Sequence, residues 1–303
     1  MKAGRPLGIY LAAVFLGSAL IAPFLYHLVQ FLAGRIPALA GIAAEPFPRY
    51  LTRTLQLAAC AGLWPLLRAL GLNRASRMGL VDPGRVRRRL AAGFAAGFAS
   101  LACVAALAIA CGGRRINPEL DWGQWAYGLL TAALSAVLVS AIEELIFRGA
   151  LYGAFRQAMS WPAALAASSL LYALLHFLRR PKATPAVDWT SGFAELGRLF
   201  GSLADYDYIM PGMLCLTLAG ALLCLAYQRL GSLYFSFGMH AGWIFWLKFY
   251  GRITQDAPHA ATAFWGSHRM IDGWLATIVL AVLLAALAWR TRKQGAPEVR
   301  TTG

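Results

Sequence analysis

Three places in this sequence put ionisable side chains where apolar residues would otherwise run on: Glu143-Glu144, His176 and His240. Inside a membrane helix such a group costs about 2.5–3.5 kcal/mol on insertion scales, and it marks a functional position by default. In the stretch Ala141-Ile-Glu-Glu-Leu-Ile-Phe-Arg-Gly149, Glu144 and Arg148 stand four apart, a spacing that predicts an ion pair on one helix face. Glu143 is rotated from Glu144 by about 100° and has no sequence-local partner of that kind. A carboxyl in dry surroundings suits general acid/base work. An interfacial helix end is the plainer account of two adjacent acids, and the histidines weigh against it. Ser160-Trp161-Pro162 predicts a turn, because Pro is accommodated in a first helical turn. Glu144 precedes Ser160 by 16 residues and His176 follows it by 16, so two antiparallel helices bring both groups to similar depth. His240 falls near the middle of its own apolar block. Two carboxylates and two imidazoles are therefore expected to converge in one buried, partly wet cavity.

The elements that must hold them follow from composition. Of 303 residues, 59% are hydrophobic and 14% charged, where soluble domains carry about 25% charged residues. The apolar excess is gathered into blocks, and roughly 20 such residues span a hydrocarbon core about 30 Å thick. The expected fold is all-α, a polytopic membrane helix bundle of about eight transmembrane helices, near residues 7–32, 50–70, 90–111, 125–155, 161–178, 209–227, 233–249 and 271–289. Gly93 and Gly97 form a small-xxx-small pair that lets another helix approach closely. No segment repeats at a fixed period, so residues 1–303 form one expected membrane domain with a motif-bearing core at about 125–249. The long connection 179–208 is expected to hold a short interfacial helix at 191–203.

Net charge is +15, with 28 Lys and Arg against 13 Asp and Glu. In a soluble chain this would suggest nucleic acid; here the cations flank apolar blocks and act as topology signals, so nucleic acid is excluded and the lipid bilayer is the expected partner. Arg74, Arg77, Arg85, Arg87, Arg88 and Arg89 precede the third block, and Lys2, Arg5, Arg290, Arg292, Lys293 and Arg300 mark the ends. Eight spans put all of these on one side, with both termini cytoplasmic, and Ala- and Arg-rich composition suggests a bacterial inner membrane. Arg114 and Arg115, offset by Glu119 and Asp121, fit the opposite side. The five cysteines lie in or beside apolar blocks without CxxC spacing and are expected to pack rather than pair. His27 and Gln30 are expected to pack or to lie at the interface, His259 and His268 to be solvated, and Asp205 and Asp207 to lie in a solvated loop rather than to pair with Arg198 or bind a cation.

Glu143-Glu144-Leu-Ile-Phe-Arg148 has the form EExxxR, Tyr172-Ala-Leu-Leu-His176 resembles FxxxH, and His240-Ala-Gly-Trp-Ile244 resembles HxxxN. In this order on a multi-span chain they resemble the three motifs of the CPBP family, which includes the type II CAAX prenyl endopeptidases and is also called Abi. The resemblance implies an intramembrane endopeptidase acting on a membrane-anchored peptide or protein tail. It implies Glu143 as the base that activates water, His176 positioning that water or moving its proton, and His240 stabilising the oxyanion. Glu144, Arg148 and Tyr172 would support them. Tyr172 stands in place of Phe, and Ile244 stands where the family often has Asn and has no hydrogen bond to donate; His240 alone, Trp243 or another donor would then serve. Family members are described both as metalloproteases and as glutamate-type proteases. Glu143, His176 and His240 would be the zinc ligands, with one position open for water; no HExxH is present, and the expected mechanism uses no cofactor. Two other readings are a catalytically silent immunity factor or scaffold of the same fold, favoured by Ile244, and a proton-coupled transporter. The lack of internal repeats speaks against the transporter.

Overall fold

The computed structural model describes residues 4–80, 83–177, 186–201, 210–258 and 260–292. Lys2, Lys293, Arg300, Asp205, Asp207 and His259, singled out above, lie outside them. Helices stand at all eight expected places: α1 (Gly4–Ala33), α2 (Phe47–Ala69), α3 (Val86–Ala110), α4 (Trp122–Ala158), α5 (Trp161–His176), then, beyond a short α6 (Ser191–Gly201), α7 (Gly212–Leu230), α8 (Leu233–Ile253) and α9 (Trp274–Thr291). Five of these, α1, α3, α4, α7 and α9, are long and apolar enough to cross a membrane. The other three fall short for separate reasons. α2 carries Arg49, Arg53 and Arg68, α5 has 16 residues, and α8 carries Lys248 and Arg252 near its end. The chain is an integral membrane protein built as a helical bundle.

Contacts divide the chain into two compact units, 1–71 with 175–208, and 72–174 with 209–303. In the first, α1 packs on α2 around Ala19, Ala22, Phe47, Tyr50 and Leu51, and Leu196 and Leu199 of α6 join the same core. Gly192 lies so close to α1 that a methyl group there would meet the Ala19 carbonyl at 1.7 Å. His27 and Gln30 are exposed and bond the backbone carbonyls of Val187 and Ala43, at 3.0 and 2.7 Å. Arg198 pairs with Glu195 at 2.6 Å, its neighbour one turn earlier on α6.

The second unit holds α3, α4, most of α5, and α7 to α9. Its core runs through Leu101, Val104, Leu222, Leu223, Met239, Trp243, Tyr250 and Leu280. The Gly93/Gly97 pair has a counterpart in Gly238 and Gly242 on α8. A methyl group at Gly93 would lie 2.1 Å from the Phe235 carbonyl oxygen, and one at Gly97 would lie 2.0 Å from that of Met239. From the other side, one at Gly238 would lie 2.1 Å from the Leu90 oxygen. The two helices thus meet backbone to backbone, the approach that small residues permit between membrane helices.

One departure from an all-helical chain is a two-stranded ribbon three residues long, in which β1 (Arg114–Ile116) pairs antiparallel with β2 (Thr254–Asp256). Arg114, expected to act as a loop charge, is buried there, donating to Thr254 Oγ1 at 3.1 Å and pairing with Asp256. His268 is exposed, as is expected of a solvated residue. The five cysteines are free; Cys215 and Cys224 are buried, whereas Cys60, Cys103 and Cys111 are exposed on their helices.

Candidate active site

α4 begins with a capping box, in which Asp121 accepts from the Gln124 backbone at 2.7 Å and the Gln124 side chain accepts from the Asp121 backbone at 3.0 Å. Along the helix the buried positions are Gly128, Ala132, Ala136, Ser140 and Glu144, one every four residues. Leu130, Leu134, Val137, Leu138 and Ile142 on the other faces are 45–65% exposed. Small residues point inward and large apolar ones outward, the inverse of a soluble helix and the pattern of a lipid-facing one. The inward stripe ends in the carboxylate of Glu144. Immediately after it the winding changes: Leu145–Tyr152 is a π-helix, and all of Phe147 to Tyr152 is buried. Such wide turns occur often at functional sites, and the 3.6-residue phase of the sequence pattern does not extend past Glu144.

Glu144 and Arg148 form the ion pair that their spacing predicts, at 2.8 Å with both side chains fully buried. The same carboxylate oxygen, Oε1, accepts from His240 Nδ1 at 2.8 Å. This second bond joins residues 96 apart in sequence, and no local pattern announces it. It fixes His240 with Nδ1 toward Glu144 and Nε2 turned toward Glu143, whose Oε2 is 3.7 Å away. Tyr172 completes the group. Its hydroxyl stands 3.5 Å from His240 Nε2 and faces the Glu143 carboxylate. Its ring lies against the Arg148 guanidinium at 4.8 Å and edge-on to Phe147 at 4.9 Å. Arg148 and Tyr172 are each 12 residues from Ser160, so their contact has the register drawn from the turn at that position.

Glu143, Glu144, Arg148, Tyr172 and His240 are thus gathered on α4, α5 and α8. Glu143, which has no partner nearby in sequence, is met by side chains of two other helices. It is also the group's accessible member, with 23% of its side chain exposed against 0% for Glu144 and 2% for His240. His176 closes α5 one turn beyond Tyr172; it is exposed and falls in the first unit. Ile244 sits one turn past His240 on α8, partly buried. Trp243 is withdrawn as an oxyanion donor, because its indole N–H is committed to Ser100 Oγ at 2.9 Å. Among the described residues no three His, Cys, Asp or Glu side chains are grouped to hold a metal ion.

Residues 124–246 match a family model described as type II CAAX prenyl endopeptidase Rce1-like. No curated protein and no solved structure shows a significant match. The matched stretch, about two-fifths of the chain, contains Glu143, Glu144, Arg148, Tyr172, His176, His240 and Ile244, so the segment that carries the three motifs is the one similar to that family.

Proposed function

We propose that this chain hydrolyses a peptide bond in a membrane-anchored peptide or protein tail, with Glu143 as the base that activates water. The asymmetry of the two acids carries the proposal: Glu144 is sealed against Arg148 and His240, while its neighbour Glu143 reaches accessible space. Glu143 takes a proton from water, the hydroxide oxygen adds to the scissile carbonyl carbon, and the C=O electron pair moves to oxygen. Collapse of that intermediate breaks the C–N bond, and Glu143 returns the proton to the departing nitrogen.

Glu144 accepts from His240 Nδ1 at 2.8 Å and orients the ring, which turns Nε2 toward Glu143. His240 is assigned to stabilise the oxyanion through Nε2–H. His176, one turn beyond Tyr172, is assigned to position the attacking water. The cation distribution supports a bacterial inner membrane with both termini cytoplasmic.

The test is purified protein in vesicles with membrane-anchored peptides, and mass spectrometry of the products. Glu143→Gln keeps shape and hydrogen bonding while removing the base. It is expected to lower the cleavage rate by about 10²–10⁴, the range of one general base, while the protein remains folded. A Glu143→Gln protein that cleaves normally overturns the assignment. A metal-free mechanism further predicts clearly less than one zinc per chain by elemental analysis and full activity in the presence of a chelator. Stoichiometric zinc that leaves together with activity would overturn it.

A further inference from the structure

A tetrahedral oxyanion formed beside Glu143 needs hydrogen-bond donors, and most of those nearby are committed. The Arg148 guanidinium gives its terminal nitrogens to Glu144 and, at 3.4 Å, to the carbonyl of Gly220, and its Nε is enclosed without a partner among the described residues. The Trp243 indole is spent on Ser100, and Ile244 has no donor to offer. The Tyr172 hydroxyl stands between the proposed base and the proposed oxyanion donor, facing the Glu143 carboxylate and 3.5 Å from His240 Nε2. Its ring is fixed on two sides by Arg148 and Phe147. We infer that Tyr172 is a catalytic residue of this chain, its O–H serving as the second oxyanion donor beside His240. This deepens the endopeptidase reading and rests on it.

The chemistry gives the hydroxyl a reason to act in the transition state rather than before it. In the resting site its best acceptor is the Glu143 carboxylate. Once Glu143 has taken the proton from water, its oxygens become weak acceptors, and negative charge builds on the substrate carbonyl oxygen instead. The O–H then turns from Glu143 to that oxygen. No proton leaves Tyr172, and the hydrogen bond changes partner as the charge moves. An interaction that strengthens only as charge develops raises the rate of the chemical step without tightening substrate binding. One turn past His240, Ile244 occupies a position from which an amide could supply the same bond, and the hydroxyl of Tyr172 makes that amide dispensable.

Tyr172→Phe retains the ring that packs on Arg148 and removes one hydroxyl. It is expected to lower kcat by about 10²–10³, the effect of deleting one oxyanion donor, with KM and the melting temperature close to those of the parent. Adding Ile244→Asn to it is expected to restore at least about tenfold, while Ile244→Asn alone changes kcat by less than about twofold because the donor is already present. A Tyr172→Phe protein within about threefold of the parent kcat overturns the inference. So does a large gain from Ile244→Asn alone, which does not depend on how Tyr172→Phe folds. Glu143→Gln, run in parallel, separates the two claims. If that variant is inactive, Tyr172→Phe decides the role of the hydroxyl; if it is active, the enzyme reading fails and this inference falls with it.

Discussion

Glu144→Gln is expected to melt at markedly lower temperature in detergent and to accumulate poorly in cells. The substitution leaves the Arg148 guanidinium fully buried with its charge uncompensated, and breaking one side of a buried pair costs about 3–5 kcal/mol. Removing both partners avoids that charge, so Glu144→Gln with Arg148→Met is expected to recover much of the lost stability. The double-mutant cycle would then show strong positive coupling, as direct contacts do. Cleavage is not expected to return with stability, because His240 Nδ1 loses the carboxylate that orients it. Stability restored without activity is thus the signature of a residue that positions another. Thermal unfolding of the four proteins, with cleavage measured at a temperature where all are folded, checks both parts. A Glu144→Gln protein as stable as its parent would show that water reaches the pair.

What the sequence disclosed and what it hid divide along the range of the interactions. Helix positions, the turn at Ser160, the Glu144–Arg148 pair and the depth match between α4 and α5 all depend on spacing within one or two consecutive helices, and they were legible. The bond from His240 to Glu144 joins helices far apart in sequence, and periodicity holds no term for it. The approach of Tyr172 and His240 to Glu143 needed three helices in place. Arg114 counted as a topology charge because its buried partners, Thr254 and Asp256, lie about 140 residues away. Tyr172 counted as a conservative exchange for Phe; only its contact with Glu143 gives the extra oxygen a use. Gly238 and Gly242 were passed over for another reason. They lie in a chain with 30 glycines, where a glycine pair acquires meaning only when a facing pair is known.

That facing pair leads to the second large effect. Gly97→Ala is expected to cost about 1–3 kcal/mol of stability, as overpacking does, and to reduce cleavage by about two orders of magnitude. The added methyl group would sit 2.0 Å from the Met239 carbonyl oxygen. That atom is backbone and cannot rotate aside, so α3 and α8 must move apart. Met239 precedes His240, and the displacement passes directly to the imidazole. A shift of about 1 Å in a catalytic group costs on the order of 10²-fold in rate, and the 2.8 Å bond to Glu144 has no slack to absorb it. Gly238→Ala, which would press on the Leu90 oxygen at 2.1 Å, is expected to act in the same way from the opposite helix. Gly8→Ala is the control: nothing lies within 4 Å of its added methyl group, and Ala is the better helix former by roughly 0.5–1 kcal/mol. Cleavage rates and melting temperatures of the three proteins separate the outcomes. Full activity in Gly97→Ala would show that α3 can yield without moving α8, and that His240 is held by Glu144 rather than by the glycine seam.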